Sequence, residues 1–316
     1  MIIRRNAGNK IRLSKGDQAV VIISYILVIA VAFLCFYPFW YIIINSMVTR
    51  EAIGRGVLIF PRLDEFFFAT YRRVLTSDSL IRGAMISTLR VIVQVVTNVT
   101  LSAMFAFLVT RKNMLFRKFV YRYAIISMYV SGGLIPYYLL IRTYGLMNTF
   151  HVYWVPGMLG VWNVILIKTF MESIPAEMEE SARIDGAGFL TVFFKIMIPL
   201  SKPILATCAL FVAVGSWNAY FDNYLFVTDR GLQTIQMELF NYIREAESIL
   251  NQMRQIAQAG GGIAGMAEAG TSVAQNLSSE AIRNTTTIVT MLPIMLVYPF
   301  LQKYFQSGIM LGAVKG

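Results

Sequence analysis

Glu180-Ser181-Ala182-Arg183-Ile184-Asp185-Gly186, followed after nine residues by Ile196-Met197-Ile198-Pro199, is the densest run of polar chemistry between two apolar runs. Ser173 is placed to cap a helix, with Pro175 in its tolerated first turn. Glu177, Glu179 and Glu180 complement the positive end of that helix's dipole. Glu179 and Arg183 stand four apart, a pairing worth about 0.2–0.5 kcal/mol. Gly186 supplies a left-handed stop. A second short helix follows, with Phe189, Val192, Phe193 and Ile196 predicted on one face. Pro199 and Pro203 break and restart the chain, with Ser201 as the next cap. Two short, capped helices would form a rigid lever. A solvated connector with an interfacial helix also accounts for the Phe stripe. It leaves the helix–Gly–helix–Pro punctuation unexplained.

No other stretch carries catalytic chemistry. The glycine run Gly260–Gly265 is not followed by Lys-Ser/Thr, so it is no phosphate cradle. HExxH, GxSxG and CxxC patterns are missing. Cys35 and Cys208 sit in apolar runs, and His151 is the only histidine. No catalytic residue, metal site or cofactor is expected in this chain.

A second polar group is Trp217, Asn218, Tyr220, Asp222 and Asn223. Aromatic faces with polar neighbours suit sugar hydroxyls, and such residues are costly in a membrane span unless they face protein or water. They are candidates for a substrate pathway, against an interfacial aromatic belt or packing between subunits. Arg90, also inside an apolar run, needs a partner, and Asp222 is the candidate.

The elements that must hold these residues are membrane helices. Of 316 residues, 57% are hydrophobic and 14% charged, with a mean hydropathy of +0.61. A soluble domain of that composition would expose large apolar patches. The expected fold is an all-α polytopic membrane protein with six transmembrane helices, near 18–46, 82–109, 117–141, 151–171, 202–228 and 285–305. The net charge of +11 is explained by basic membrane flanks rather than nucleic acid. The first apolar run is too long for a signal peptide's core of about 7–15 residues, so it is expected to be a retained helix.

Arg4, Arg5, Lys10, Arg12 and Lys15 precede the first span, against Asp17 alone. Arg111, Lys112, Arg117, Lys118 and Arg122 join the second to the third with no acid between them. Both clusters belong in the cytosol, which puts the N- and C-termini there. The division is then a 1–17 cytosolic tail, an 18–305 transmembrane domain and a 306–316 cytosolic tail. Within the domain, 47–81 and 229–284 are extracytoplasmic loops and 172–201 is a cytosolic loop. The 229–284 loop is either functional or disordered.

Glu180, Ala182, Gly186, Ile196 and Pro199 match the EAA-loop pattern of permease subunits of binding-protein-dependent ABC importers. Ser181 stands for the second residue of the pattern and Ile198 for its Leu. Ser131-Gly132-Gly133-Leu134-Ile135-Pro136, Gly145-Leu146-Met147-Asn148-Thr149, Trp217-Asn218-Ala219-Tyr220-Phe221-Asp222 and Gly312-Ala313-Val314-Lys315-Gly316 resemble the complex-oligosaccharide branch. The chain is similar to the smaller maltose-permease-type subunit.

The resemblance implies a type I ABC importer permease fold in a bacterial cell membrane, importing carbohydrate by alternating access. It implies a second permease subunit, two ATP-binding subunits carrying ATP and Mg, an extracytoplasmic solute-binding protein and an oligosaccharide substrate. Glu180, Ala182, Asp185, Gly186, Ile196 and Pro199 would form the ATPase-docking coupling loop. The alternatives are an ABC permease for a non-sugar solute, or a secondary transporter or channel.

Overall fold

The computed structural model describes residues 15–49, 52–53, 60–258 and 281–299. The glycine run, residues 300–305, most of the N-terminal tail and the C-terminal tail with Gly312–Gly316 lie outside them. The described residues are helical apart from turns, connecting segments and one isolated bridge between Val48 and Phe66.

Among the described residues, two single helices are long and apolar enough to cross a membrane. The first, α1 (Lys15–Ser46), is apolar around its whole circumference and leaves Val20, Phe33 and Leu34 exposed. Such a helix has no internal core to bury itself in and suits a lipid or partner environment. Only its last turns join the bundle, where the Ser46 hydroxyl meets Tyr71 at 2.6 Å and Thr285 donates to the Ser46 carbonyl. A short α2 (Ala69–Leu75) leads into α3 (Asp78–Thr110). At 33 residues, α3 rises about 50 Å.

The other apolar runs are broken. The expected 117–141 span is α4 (Arg117–Tyr129) and α5 (Leu134–Thr143), bent by 117°. Gly133 sits between them at φ 86°, which no side chain tolerates well. The expected 151–171 span contains one short helical turn at Phe150–Tyr153 and then α6 (Val161–Met171). The 11 residues of α6 rise only about 16 Å. Beyond it come α7 (Glu177–Ile184) and α8 (Phe189–Leu200). A 79° bend then leads into α9 (Lys202–Asn218). The expected 202–228 span stops at Asn218, and a separate α10 (Phe221–Phe226) follows. The chain ends its described course with α11 (Ile235–Gln258) and α12, residues 281–299.

α3 packs against α6, α9 and α11. Its polar residues explain how broken backbone survives beside it. Ser87, Arg90, Gln94, Asn98 and Ser102 recur every three or four residues and so share one face. Gln94 and Asn98 both donate to the Gly157 carbonyl, at 2.8 and 2.7 Å. The Gly160 amide donates to the Ser102 hydroxyl at 3.2 Å. Asn163 donates to Asn98 at 2.8 Å. The Ile235 amide donates to the Ser87 hydroxyl at 3.0 Å. Gly83, one turn earlier, lies against the Thr234–Ile235 backbone, where a Cβ would come within 3.1 Å of the Ile235 nitrogen.

Below this seam, Ala103, Ala106 and Phe107 of α3 join Val164, Ile167 and Met171 of α6, Val192, Phe193 and Met197 of α8, and Cys208 of α9 in one apolar core. Asn98→Leu removes a donor from Gly157 and strands the Asn163 amide. A destabilisation of about 1–3 kcal/mol is expected, read as a lowered thermal midpoint of the purified protein.

Candidate functional site

The coupling segment is built from its caps. α7 starts after Ala176, not at Ser173, whose hydroxyl instead turns back to the Phe170 carbonyl. Pro175 still precedes the first turn, and Glu177, Glu179 and Glu180 occupy it. At the other end Gly186 takes φ 82°. Its amide donates to Arg183, and the Ala187 amide reaches five residues back to Ala182 at 2.9 Å. Those two bonds form the paired helix ending that only a left-handed residue permits.

The faces of α7 are sharply divided. Ala182 and Ala187 pack against the apolar core of this chain. Glu180, Asp185 and Gly186 are exposed, as are Met178 and Ile184. Of the expected docking residues, Ala182 therefore faces inward, and the outward surface is Glu180, Asp185, Gly186 and their apolar neighbours.

Glu179 faces the bundle and pairs with two cations. Arg183 lies 2.7 Å away on the same helix, and Arg111, at the end of α3, also contacts its carboxylate. The Arg111 guanidinium covers the Phe107 ring at 4.0 Å, and Phe107 packs on Phe193 with centroids 5.1 Å apart. The sequence marked Arg111 only as a flanking charge. An acid-free basic run gives no hint that one of its members turns back onto an acidic helix.

The stripe expected on α8 is shifted. Val192, Phe193 and Met197 are buried, whereas Phe189 is exposed beneath the Arg183 guanidinium and Ile196 is half-buried. Pro199 has no amide hydrogen to give Lys195. The turn before it widens over Phe193–Met197, and the Ile198 amide bonds the Phe193 carbonyl. A wide turn advances fewer degrees per residue, so the 3.6-residue count fails there. Ser201 takes the cap position before α9, but its hydroxyl makes no cap bond.

At the opposite end of α3, the second polar group surrounds the break between α9 and α10. Arg90 is buried and pairs with Asp222 at 2.5 and 3.2 Å. It also donates to the Ser216 hydroxyl at 3.2 Å and to the Ala219 carbonyl at 3.1 Å. The carbonyl at Ala219 is one that the broken helix leaves open. The Tyr153 ring lies 4.8 Å from the guanidinium carbon. Tyr153 accepts from the Asn223 side chain and donates to Leu232 at 2.7 Å. Trp217 donates to the Thr290 carbonyl of α12 at 3.0 Å.

The five candidates thus divide. Trp217, Asp222 and Asn223 are engaged in holding the chain together, while Asn218 and Tyr220 are exposed. Tyr153 and Ser216 join the set although their sequence context is plain. Asn148, in the left-handed region at φ 56°, closes the same end by accepting the Thr228 and Asp229 amides at 3.0 and 2.7 Å. Among the described residues, no group of three or more His, Cys, Asp or Glu side chains is placed to hold a metal ion.

Removing one member of a buried charge pair costs about 3–5 kcal/mol. Arg90→Glu and Asp222→Arg are each expected to reduce folded protein sharply. The double exchange should recover part of it, read by gel-filtration yield.

Residues 98–251, which run from the polar seam of α3 through the coupling segment to α11, match the family described as binding-protein-dependent transport system inner membrane component. The polygalacturonan/rhamnogalacturonan transport system permease protein YtcP of Bacillus subtilis (strain 168) is 31% identical over 287 residues, 90% of this chain and 94% of that protein. Protein LplC of the same organism is 34% identical over 281 residues, 88% of this chain and 89% of that protein. The fold matches a crystal structure of a bacterial ABC transporter involved in import of the acidic polysaccharide alginate. That match has a TM-score of 0.79 and 26% identity, covering 93% of this chain and 99% of that one. The chain belongs to the binding-protein-dependent transport system inner membrane components, as a permease of the carbohydrate ABC importers.

Proposed function

We propose that this permease imports oligosaccharide by alternating access, as one half of a pathway completed by a second, similar permease subunit. In this reading the chain crosses the membrane six times, with both termini and residues 172–201 in the cytosol. The paired helices α4–α5 and α9–α10, and the short α6 with the segment before it, each serve as an interrupted span. Broken spans are tolerated where neighbouring helices satisfy the freed backbone groups. The seam on α3 does this for Gly157, Gly160 and Ala219.

The observation that carries the reading is the build of α7. Gly186 closes its C-terminal end, three acids occupy its first turn, and Glu179 fastens it to Arg111. It presents Glu180, Asp185, Met178 and Ile184 outward. A short, fastened element with an acidic and apolar outer face fits a basic groove on a partner. Glu180, Asp185 and Gly186 are the docking residues, with Ala182 letting α7 lie close on its own bundle. Ile196 and Pro199 shape the second arm of the lever through the widened turn. Two ATP-binding subunits supply ATP and Mg. A solute-binding protein docks on the extracytoplasmic side, where residues 229–284 form the larger loop. Asn218 and Tyr220 are the pathway candidates that remain open, with Trp217, Asp222 and Asn223 as the framework behind them.

Gly186→Pro demands a φ near −65° where the chain has +82°. Glu180→Lys reverses the charge of the docking face. Each is expected to abolish uptake while leaving membrane insertion intact. Uptake in vesicles beside the amount of inserted protein is the measurement, and wild-type uptake in either variant would overturn the docking assignment.

Arg111→Ala frees α7 from α3. Copurification of the ATPase subunits is expected to persist, with uptake per ATP hydrolysed lowered several-fold. An unchanged ratio would show that the Arg111–Glu179 contact carries no part of the coupling.

A further inference from the structure

One partly exposed cluster lies where α10 meets α11. Tyr220 and Tyr224, four residues apart around α10, face Phe240 and Arg244, four apart on α11. Tyr220 and Phe240 stack with centroids 5.0 Å apart, and Tyr224 meets Phe240 edge-on at 5.5 Å. The Arg244 guanidinium lies 5.7 Å from the Phe240 ring and 5.9 Å from the Tyr224 ring. Both tyrosines keep large exposed surfaces, 39% and 45%. Arg244 is exposed too, and among the described residues no carboxylate pairs with it. The other described cations near this end are differently placed. Arg90 is consumed by Asp222. Arg82 and Arg230 both act on Glu238, whose carboxyl is pushed up by burial and drawn back by those two charges.

We infer that Tyr220, Tyr224, Phe240 and Arg244 form a subsite for a sugar carrying a carboxylate, a uronate unit of an acidic oligosaccharide. This rests on the carbohydrate-import reading above and narrows its substrate class. The rings offer apolar faces for the C–H side of a pyranose, and the phenol hydroxyls can bond its equatorial oxygens. A planar guanidinium accepts a carboxylate through two parallel hydrogen bonds, which a neutral sugar cannot provide. The cation–π contacts to the two rings bias Arg244 toward this cluster, so less freedom is lost when the anion arrives. The cluster includes Tyr220, one of the two open pathway residues, and lies two residues beyond Asn218 in sequence.

The test uses the complete importer, with its partner permease, ATPase subunits and binding protein, in proteoliposomes. Tri-galacturonate, tri-mannuronate and the carboxyl-reduced neutral form of each are the probes. Wild-type protein is expected to take up at least one acidic trimer. Arg244→Gln should lower the ratio of acidic to neutral uptake at least tenfold, and Arg244→Lys by less. The ratio is the readout because a loss of folded protein lowers both rates together. Equal loss of acidic and neutral uptake, or no change in the ratio, would reduce Arg244 to a surface contact and overturn the assignment. Wild-type import of neutral trimers alone would overturn it as well. Import of no sugar at all, by an assembled complex that hydrolyses ATP, would instead defeat the carbohydrate reading on which the subsite rests.

Discussion

Backbone amides and carbonyls inside an apolar environment must find partners within the protein, because an unsatisfied one costs several kcal/mol. This chain breaks its apolar helices repeatedly, and each break frees such groups. The face of α3 that carries Ser87, Arg90, Gln94, Asn98 and Ser102 satisfies those freed at three of the breaks. It serves Ile235 where α11 starts, Ala219 where α9 stops, and Gly157 and Gly160 where the chain turns into α6. An unbroken polar-faced helix thus supports the breaks that lie beside it. Close approach supports it, through Gly83 against the Thr234–Ile235 backbone and through Ala103 and Ala106 in the apolar core.

The two functional regions sit at opposite ends of that same helix. Arg111 fastens one end to α7 through Glu179, and Arg90 fastens a point near the other to the α9–α10 break through Asp222. Both arginines also lie over aromatic rings, Phe107 and Tyr153. Each cation is desolvated against an apolar face and must keep its carboxylate. Movement of α7 therefore cannot leave α3 behind without breaking a partly buried ion pair. That pair turns Asp222 inward, as Thr290 does Trp217 and Tyr153 does Asn223, while Asn218 and Tyr220 stay at the surface.

Local rules were readable where one residue type decides the geometry. Gly186 and Gly133 both take positive φ, and both were marked by sequence as breaks or motif glycines. The Glu179–Arg183 pair follows from helical spacing alone. Arg90 and Asp222 could be matched because each is expensive in an apolar run without the other. The helical count failed at Ile196, because the effect of Pro199 on the preceding turn changes the residues per turn, while Phe189 at the helix start lies under Arg183 instead. Ser173 was misread as a cap because its hydroxyl finds a carbonyl three residues back. The seam on α3 was present in the sequence as polar residues at helical spacing. It was not read, because each is a mild interruption of a long apolar run.

The sequence by itself determined the class of the molecule, the punctuation of the coupling segment and its kinship with importer permeases. Composition, proline and glycine positions and short-range spacing act locally, so they can be read without a fold. Only the tertiary structure decided which candidate residues face outward. Ala182 and Asn223 turned inward while Glu180 and Tyr220 did not, and Arg111 became the partner of an acid 68 residues away. Those outcomes depend on which helix lies beside which, and on the buried groups that each must satisfy for the other.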